Sequence, residues 1–406
     1  MAEAISSPTA TSAQPKAVGV VGGGQLAWMM AAGATALGLE LCVQTPKEDD
    51  PACAIARQVF LGNVDDATTT AEMAARCDVI TFENEFIDLA ALRKLAQRGV
   101  VFYPSLNCLA PLLDKYDQRQ YCDSIGLPSL PFATLQGQAD SSLLSEMIEK
   151  VGLPLVMKTR RHGYDGQGTF VLHTAEAVRE TWQTLGYQPV LLEAFVNFKK
   201  ELAVMVARSQ SGEVVVYPVV ETVQIEQVCR RVIAPARVAD AVSEKVKAIA
   251  TTLMNRLNVV GIFGIELFLT KEGKILINEI APRTHNSGHY TLDACVTSQF
   301  EQQLRAVSGA ALGSPALKSS NAVMVNLLGT ENSDSDYGQK RNALAQIPNA
   351  SVYWYGKKQS RIGRKMGHVT VLIDSEMSSE QASAMGTAEG HDAIGRVIEQ
   401  IERIWY

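Results

Sequence analysis

Residues 264–279 read GIELFLTKEGKILINE, and they constrain the fold more tightly than any other stretch of the chain. Two apolar runs flank Lys271-Glu272-Gly273, which predicts a β-hairpin. Glu266 and Glu279 are equidistant from a midpoint between Glu272 and Gly273, so this register sets them opposite each other on one face, with Cβ atoms about 5 Å apart. Carboxylates placed so among Ile, Leu and Phe repel each other and resist desolvation. A slipped register would separate them, and an Arg or Lys would neutralise them. A divalent cation would satisfy both: Mg²⁺ takes oxygen ligands, typically one or two carboxylates plus substrate phosphates.

At 406 residues the chain can form roughly two to four domains, and 47% apolar with 20% charged residues allows sizeable cores. A net charge of -6 argues against a general nucleic-acid binder, yet permits a local basic pocket for a phosphorylated small molecule. The seven cysteines include no CxxC pair, which argues against a disulfide framework or zinc ribbon and fits a reducing cytoplasm. No apolar run reaches the roughly 18 residues of a membrane span. Residues 1–15 lack the apolar core of a secretory signal and the Arg of a transit peptide, and read as a disordered tail.

Short apolar runs alternate with helical patterns through residues 16–111, predicting a parallel sheet with helices on both faces. Residues 112–316 are strand-rich with few crossover helices, an α+β pattern. Residues 317–406 carry three strand candidates (322–328, 350–355 and 368–373) and a terminal helix from about 379.

Four further segments bear chemistry. VGVVGGGQ (18–25) places glycines between a strand and a helix, which reads as a tight turn or as an anion site at the helix N-terminus. No acidic residue suits a dinucleotide ribose at the end of the next strand, so NAD is discounted. KTRRHGYDGQG (158–168) joins a strand-end lysine to a glycine-dense loop that can fold over phosphates, with two arginines adding positive potential. IAPRTHNSGHY (280–290) is a polar loop suited to substrate contacts. YGKKQSRIGRKMGH (355–368) holds five cations within residues 357–365, and reads equally as a solvated face or an anion-binding turn.

In this order the motifs GGGQL, FENE (82–85), KTRRxGYDGxG, NEIAPRxHNSGH and YGK…GRKMGH resemble the 5-(carboxyamino)imidazole ribonucleotide synthases of the ATP-grasp superfamily, over about residues 17–375. The resemblance implies an α/β and α+β fold: an N-terminal Rossmann-like domain, an ATP-grasp domain and a small C-terminal domain, working as a cytoplasmic homodimer. It implies ligation driven by ATP with Mg²⁺, in which bicarbonate carboxylates 5-aminoimidazole ribonucleotide through carboxyphosphate in purine synthesis. Carried over, Lys115 and Lys158 meet ATP phosphates, and Gly163, Gly166, Gln167 and Gly168 belong to the loop over them. Glu193, Phe195 and Val196 flank adenine, with Glu201 on the ribose and Gln224 nearby. Glu266 and Glu279 hold the metal, Asn278 beside them. Tyr164 and Asp165 meet the aminoimidazole, while Arg283 and His285 handle bicarbonate and carboxyphosphate. Gly24, Gln25, Glu83, Asn286 and Ser287 are expected along the substrate pocket, and Lys357, Arg364 and Lys365 at the ribotide phosphate. The chain departs from the family pattern at Ala27, Trp28, His162, Gln167 and Gln224. A glycinamide ribonucleotide ligase using formate, or a biotin carboxylase, shares the superfamily, but the HNSGH loop favours the first reading. A nucleotide sensor without ligase activity would need no buried pair of metal glutamates.

Overall fold

A computed structural model describes residues 16–137, 141–161, 168–374 and 393–406. Among the described residues the strands form three sheets. The first contains β1 (Ala17–Val21), β2 (Glu40–Thr45), β3 (Gln58–Leu61) and β4 (Val79–Phe82), all parallel in the order β3-β2-β1-β4. All five residues of β1 are buried, as expected of a central parallel strand covered by helices on both faces.

The second sheet is antiparallel: β5 (Phe132–Leu135), β6 (Leu155–Thr159), β7 (Thr169–Leu172) and β8 (Val190–Ala194), in the order β5-β8-β6-β7. Its core includes Leu144, Ile148, Val178 and Trp182 from two covering helices.

The third sheet has nine strands. They are β9 (Phe198–Arg208), β10 (Val214–Val216), β11 (Val220–Ile225), β12 (Val228–Ala234), β13 (Gly261–Thr270), β14 (Ile275–Ala281), β15 (Asn321–Leu328), β16 (Ala350–Trp354) and β17 (Lys365–Ile373). The order is β14-β13-β9-β11-β12-β15-β17-β16, with β10 beside β9. The last three strands therefore extend the central sheet rather than closing on themselves, because β15 pairs with β12, Arg231 opposite Val325. β17 begins three residues before the predicted strand, since Leu328 pairs with Lys365 beyond a register shift.

The helix Ala393–Trp405 packs on this end of the sheet, burying Ile394, Val397, Ile398, Ile401 and Trp405. The predicted start of a terminal helix near 379, like the expected tail at 1–15, lies outside the described residues. No helix among the described residues is long and apolar enough to cross a membrane.

Trp405 is fully buried, donates its indole N–H to the Leu328 carbonyl at 2.8 Å and packs its ring, tilted, against Tyr337 with centroids 5.0 Å apart. Trp405→Ala is expected to destabilise the protein by about 3–5 kcal/mol, read as a lowered urea midpoint.

Candidate active site

The 264–279 hairpin forms as predicted, and Glu266 does face Glu279. The route to that register differs from the expected one. The turn closes between Thr270 and Lys274, with Gly273 at φ +79. Leu269, Phe268 and Leu267 pair with Ile275, Leu276 and Ile277, which on its own would set Glu266 opposite Asn278. A bulge at Asn278 adds one residue and restores the Glu266–Glu279 pair. Asn278 and Glu279 then both line one cleft of about 1450 Å³ with Glu266, and the Asn278 amide lies 3.5 Å from Glu266 Oε2.

The two carboxylates are electrostatically unequal. Burial would raise Glu279, but the Lys115 ammonium at 2.7 Å holds it down at about 2. Burial, with the Glu279 and Glu201 charges, pushes Glu266 up to about 7. Side-chain exposures of 21% for Glu266 and 45% for Glu279 leave both within reach of a ligand in the cleft. His285 Nε2 stands 3.8 Å from Glu266 Oε1, and its Nδ1 is 2.9 Å from Ser287 Oγ. Gln299 accepts from the His285 backbone N–H at 2.9 Å and donates to its carbonyl at 2.8 Å. Gly264 makes room for this: a Cβ there would lie 2.5 Å from His285 Cβ.

Lys158 is the penultimate residue of β6, with Nζ 2.7 Å from Glu193 Oε2 and 3.2 Å from Asn278 Oδ1. The other oxygen of Glu193 accepts from Arg119 Nε, and the Arg119 guanidinium also donates to the carbonyls of Ile277 and Asn278. Arg119 and Glu193 are 2% and 1% exposed, so the Glu193 carboxylate is built into the wall; Glu193, Phe195, 45% exposed, and Val196 line the cleft. Burial opposes the Glu193 charge, but Arg119 and Lys158 hold it at about 2. Sequence reasoning missed Arg119; the signal available was its spacing of one helical turn from Lys115 on the helix Lys115–Ser124.

Arg160 does not add free positive potential. It lies between Asp114, at 2.8 and 2.9 Å, and Asp117, at 3.1 Å. Residues 162–167 lie outside the described residues, and with them Gly163, Tyr164, Asp165, Gly166, Gln167 and the departure at His162. Gly168 has φ +76 and packs against Thr159. Glu201 and Gln224 line the cleft together. Burial pushes Glu201 up to about 7, only partly offset by the Gln224 backbone N–H.

The GGGQ turn is occupied from within the chain. Glu83 Oε2 accepts from Gly24 N at 2.6 Å and Oε1 from Leu26 N at 3.0 Å. The amides expected to meet a ligand are thus capped by Glu83, whose burial raises its carboxyl above its ordinary value. A Cβ on Gly24 would lie 2.4 Å from Glu83 Oε1. Gln25 lines the cleft; Ala27 is buried and Trp28 packs against the same core. Of the C-terminal cations, Lys365 lines the cleft. Lys357 Nζ donates to the Lys365 carbonyl at 2.8 Å, and Arg364 donates to the Gln359 carbonyl at 2.6 Å, so both sit in the adjoining turn. Asn286 lines the cleft but pairs its amide with Asn326 at 2.9 and 2.8 Å.

Two lysines and two glutamates facing one cleft beside a nine-stranded antiparallel sheet define an ATP-grasp ligase, and residues 120–300 match the ATP-grasp domain family. Residues 15–111 match the ribonucleotide synthetase preATP-grasp domain and 322–382 the phosphoribosylaminoimidazole carboxylase C-terminal domain. The chain is 50% identical to the N5-carboxyaminoimidazole ribonucleotide synthase of Synechococcus elongatus, over 96% of this chain and 95% of that protein. The Bacillus subtilis protein of the same name is 36% identical, over 88% and 92%. A solved Aspergillus clavatus N5-carboxyaminoimidazole synthase, in complex with ADP and 5-aminoimidazole ribonucleotide, superimposes with a TM-score of 0.84 at 31% identity, covering 96% of this chain and 99% of that one. The chain belongs to the N5-carboxyaminoimidazole ribonucleotide synthase family.

Glu201 gives a pH test of this cleft. Burial lifts its carboxyl to about 7, above the usual carboxylate range, so its contribution to stability is lost as pH rises through that window. Without nucleotide, Glu201→Gln is expected to melt higher than the parent at pH 8, and the gain should vanish near pH 4.5.

Proposed function

We propose that this protein joins bicarbonate to the amine of 5-aminoimidazole ribonucleotide, driven by cleavage of ATP to ADP and phosphate. The observation that carries this reading is the meeting of the Glu266–Glu279 pair, Lys115 with Lys158, and the Arg283–His285 loop in one cleft. In this reading Lys115 and Lys158 neutralise the phosphates, adenine rests against Phe195, Val196 and the Glu193 backbone, and Glu201 with Gln224 holds the ribose. Gly163 to Gly168 cover the triphosphate, and Tyr164 and Asp165 meet the aminoimidazole.

Glu266 and Glu279 present carboxylate oxygens on one wall with Asn278 beside them, and Glu266 is short of counter-charge, so the residues fit a hard cation such as Mg²⁺. When bound, that ion supplies charge neutralisation at the transferring phosphate. Arg283 and His285 hold bicarbonate for attack on the γ-phosphorus, and breakdown of carboxyphosphate delivers CO₂ beside the amine. The protein's part is positioning and charge neutralisation in a sheltered site. Gly24, Gln25, Asn286 and Ser287 shape the ribotide pocket, and Lys357, Arg364 and Lys365 hold its phosphate. Seven cysteines with no disulfide among them support a cytoplasmic location, and the family resemblance supports a homodimer.

ADP release that requires both Mg²⁺ and 5-aminoimidazole ribonucleotide is the expected result; release at the same rate without the ribotide overturns the reading. Glu279→Gln is expected to abolish this turnover while circular dichroism stays unchanged.

A contact with the ribotide phosphate is made alike in ground and transition states, so its loss acts mainly on KM. Arg364→Ala and Lys357→Ala should each raise KM for the ribotide about 10- to 150-fold, the equivalent of about 1.5–3 kcal/mol. KM for ATP should stay within about twofold. Kinetics varying one substrate at a time check this, and a normal ribotide KM in both variants would make the cluster a solvated face.

A further inference from the structure

The FENE motif carries a second carboxylate that none of these roles uses. Glu85 follows β4 of the parallel sheet, while Arg283 follows β14 of the nine-stranded sheet. The two meet on the wall of the cleft. Arg283 NH2 lies 2.9 Å from Glu85 Oε1 and 3.1 Å from Oε2, and NH1 donates to the Thr284 carbonyl at 3.0 Å. Arg283 Nε is buried and has no acceptor. Among the described residues, Glu85 is thus the side chain that orients this guanidinium, and the remaining anchor is one neighbouring carbonyl. A planar fork held at one edge keeps its plane, and the plane decides where its other donors can meet an oxyanion.

We propose that Glu85 is a positioning residue, fixing the Arg283 guanidinium to receive bicarbonate. The inference rests on the reading of Arg283 as the bicarbonate contact. Glu85 is not itself a bicarbonate ligand, because its charge repels that anion. A bridge that only joined the two sheets would behave differently. Its side chains are 20% and 23% exposed, and partly exposed pairs contribute little to stability, so a structural role would show as a small change in melting temperature and no selective change in KM.

The test is steady-state kinetics with bicarbonate and ATP varied separately on Glu85→Ala, Glu85→Gln, Arg283→Ala and the double alanine variant. Glu85→Ala is expected to raise KM for bicarbonate about 10- to 100-fold, the range of a lost charge-assisted hydrogen bond, and to leave KM for ATP within about twofold. Glu85→Gln, which keeps one acceptor oxygen, should show a smaller rise. The double variant should be no worse than Arg283→Ala alone, since Glu85 acts through that arginine. An unchanged bicarbonate KM in both Glu85 variants, or penalties that multiply in the double variant, would overturn the positioning role. An unchanged bicarbonate KM in Arg283→Ala would overturn the bicarbonate role of Arg283 and this inference with it.

Discussion

The cleft depends on one buried carboxylate. Glu193, on β8, is gripped by Lys158 from β6 and by Arg119 from the helix Lys115–Ser124. The same arginine reaches the Ile277 and Asn278 carbonyls of β14. Two sheets and a helix are thereby locked around a single charge. Such a network is stable only when complete; losing one partner strands the others at a cost of about 3–5 kcal/mol. It also decides the electrostatics of the cleft. Lys158 is held on Asn278, while Lys115, one helical turn before Arg119, is brought to Glu279.

Local pattern carried the reading of the hairpin, because alternating apolar residues and a glycine turn are written within 16 residues. Even there the facing glutamates owe their register to a bulge that no local rule announced. The partners of Glu83 and Glu193 were not legible, for a different reason. Each carboxylate is satisfied by groups far away in the chain, 57 and 59 residues for Glu83 and 35 and 74 for Glu193, and such partners are invisible to spacing. The same holds for residues 317–406. Three strands were legible, but their joining to β12 rests on pairing across some 90 residues, and sequence pattern does not say which sheet a strand enters.

The departures from the family pattern divide by location. Ala27 and Trp28 pack into the core beneath the GGGQ turn, so these changes act on packing. Gln224 faces the cleft beside Glu201, where a change of side chain acts on the ligand. Placement, rather than the identity of the exchanged residue, decides which substitutions touch chemistry.

The continuity of the central sheet has a mechanical consequence. Glu266 and Glu279 lie on β13 and β14 at one margin, and Lys365 opens β17 near the other. Every strand between them is stitched to its neighbour by a hydrogen-bonded ladder, which resists stretching far more than a flexible joint does. The sheet therefore acts as a ruler between the glutamate pair and the C-terminal cations. Whatever lies along it is held at a separation set by backbone geometry, and any closing movement has to come from the smaller sheets that flank it.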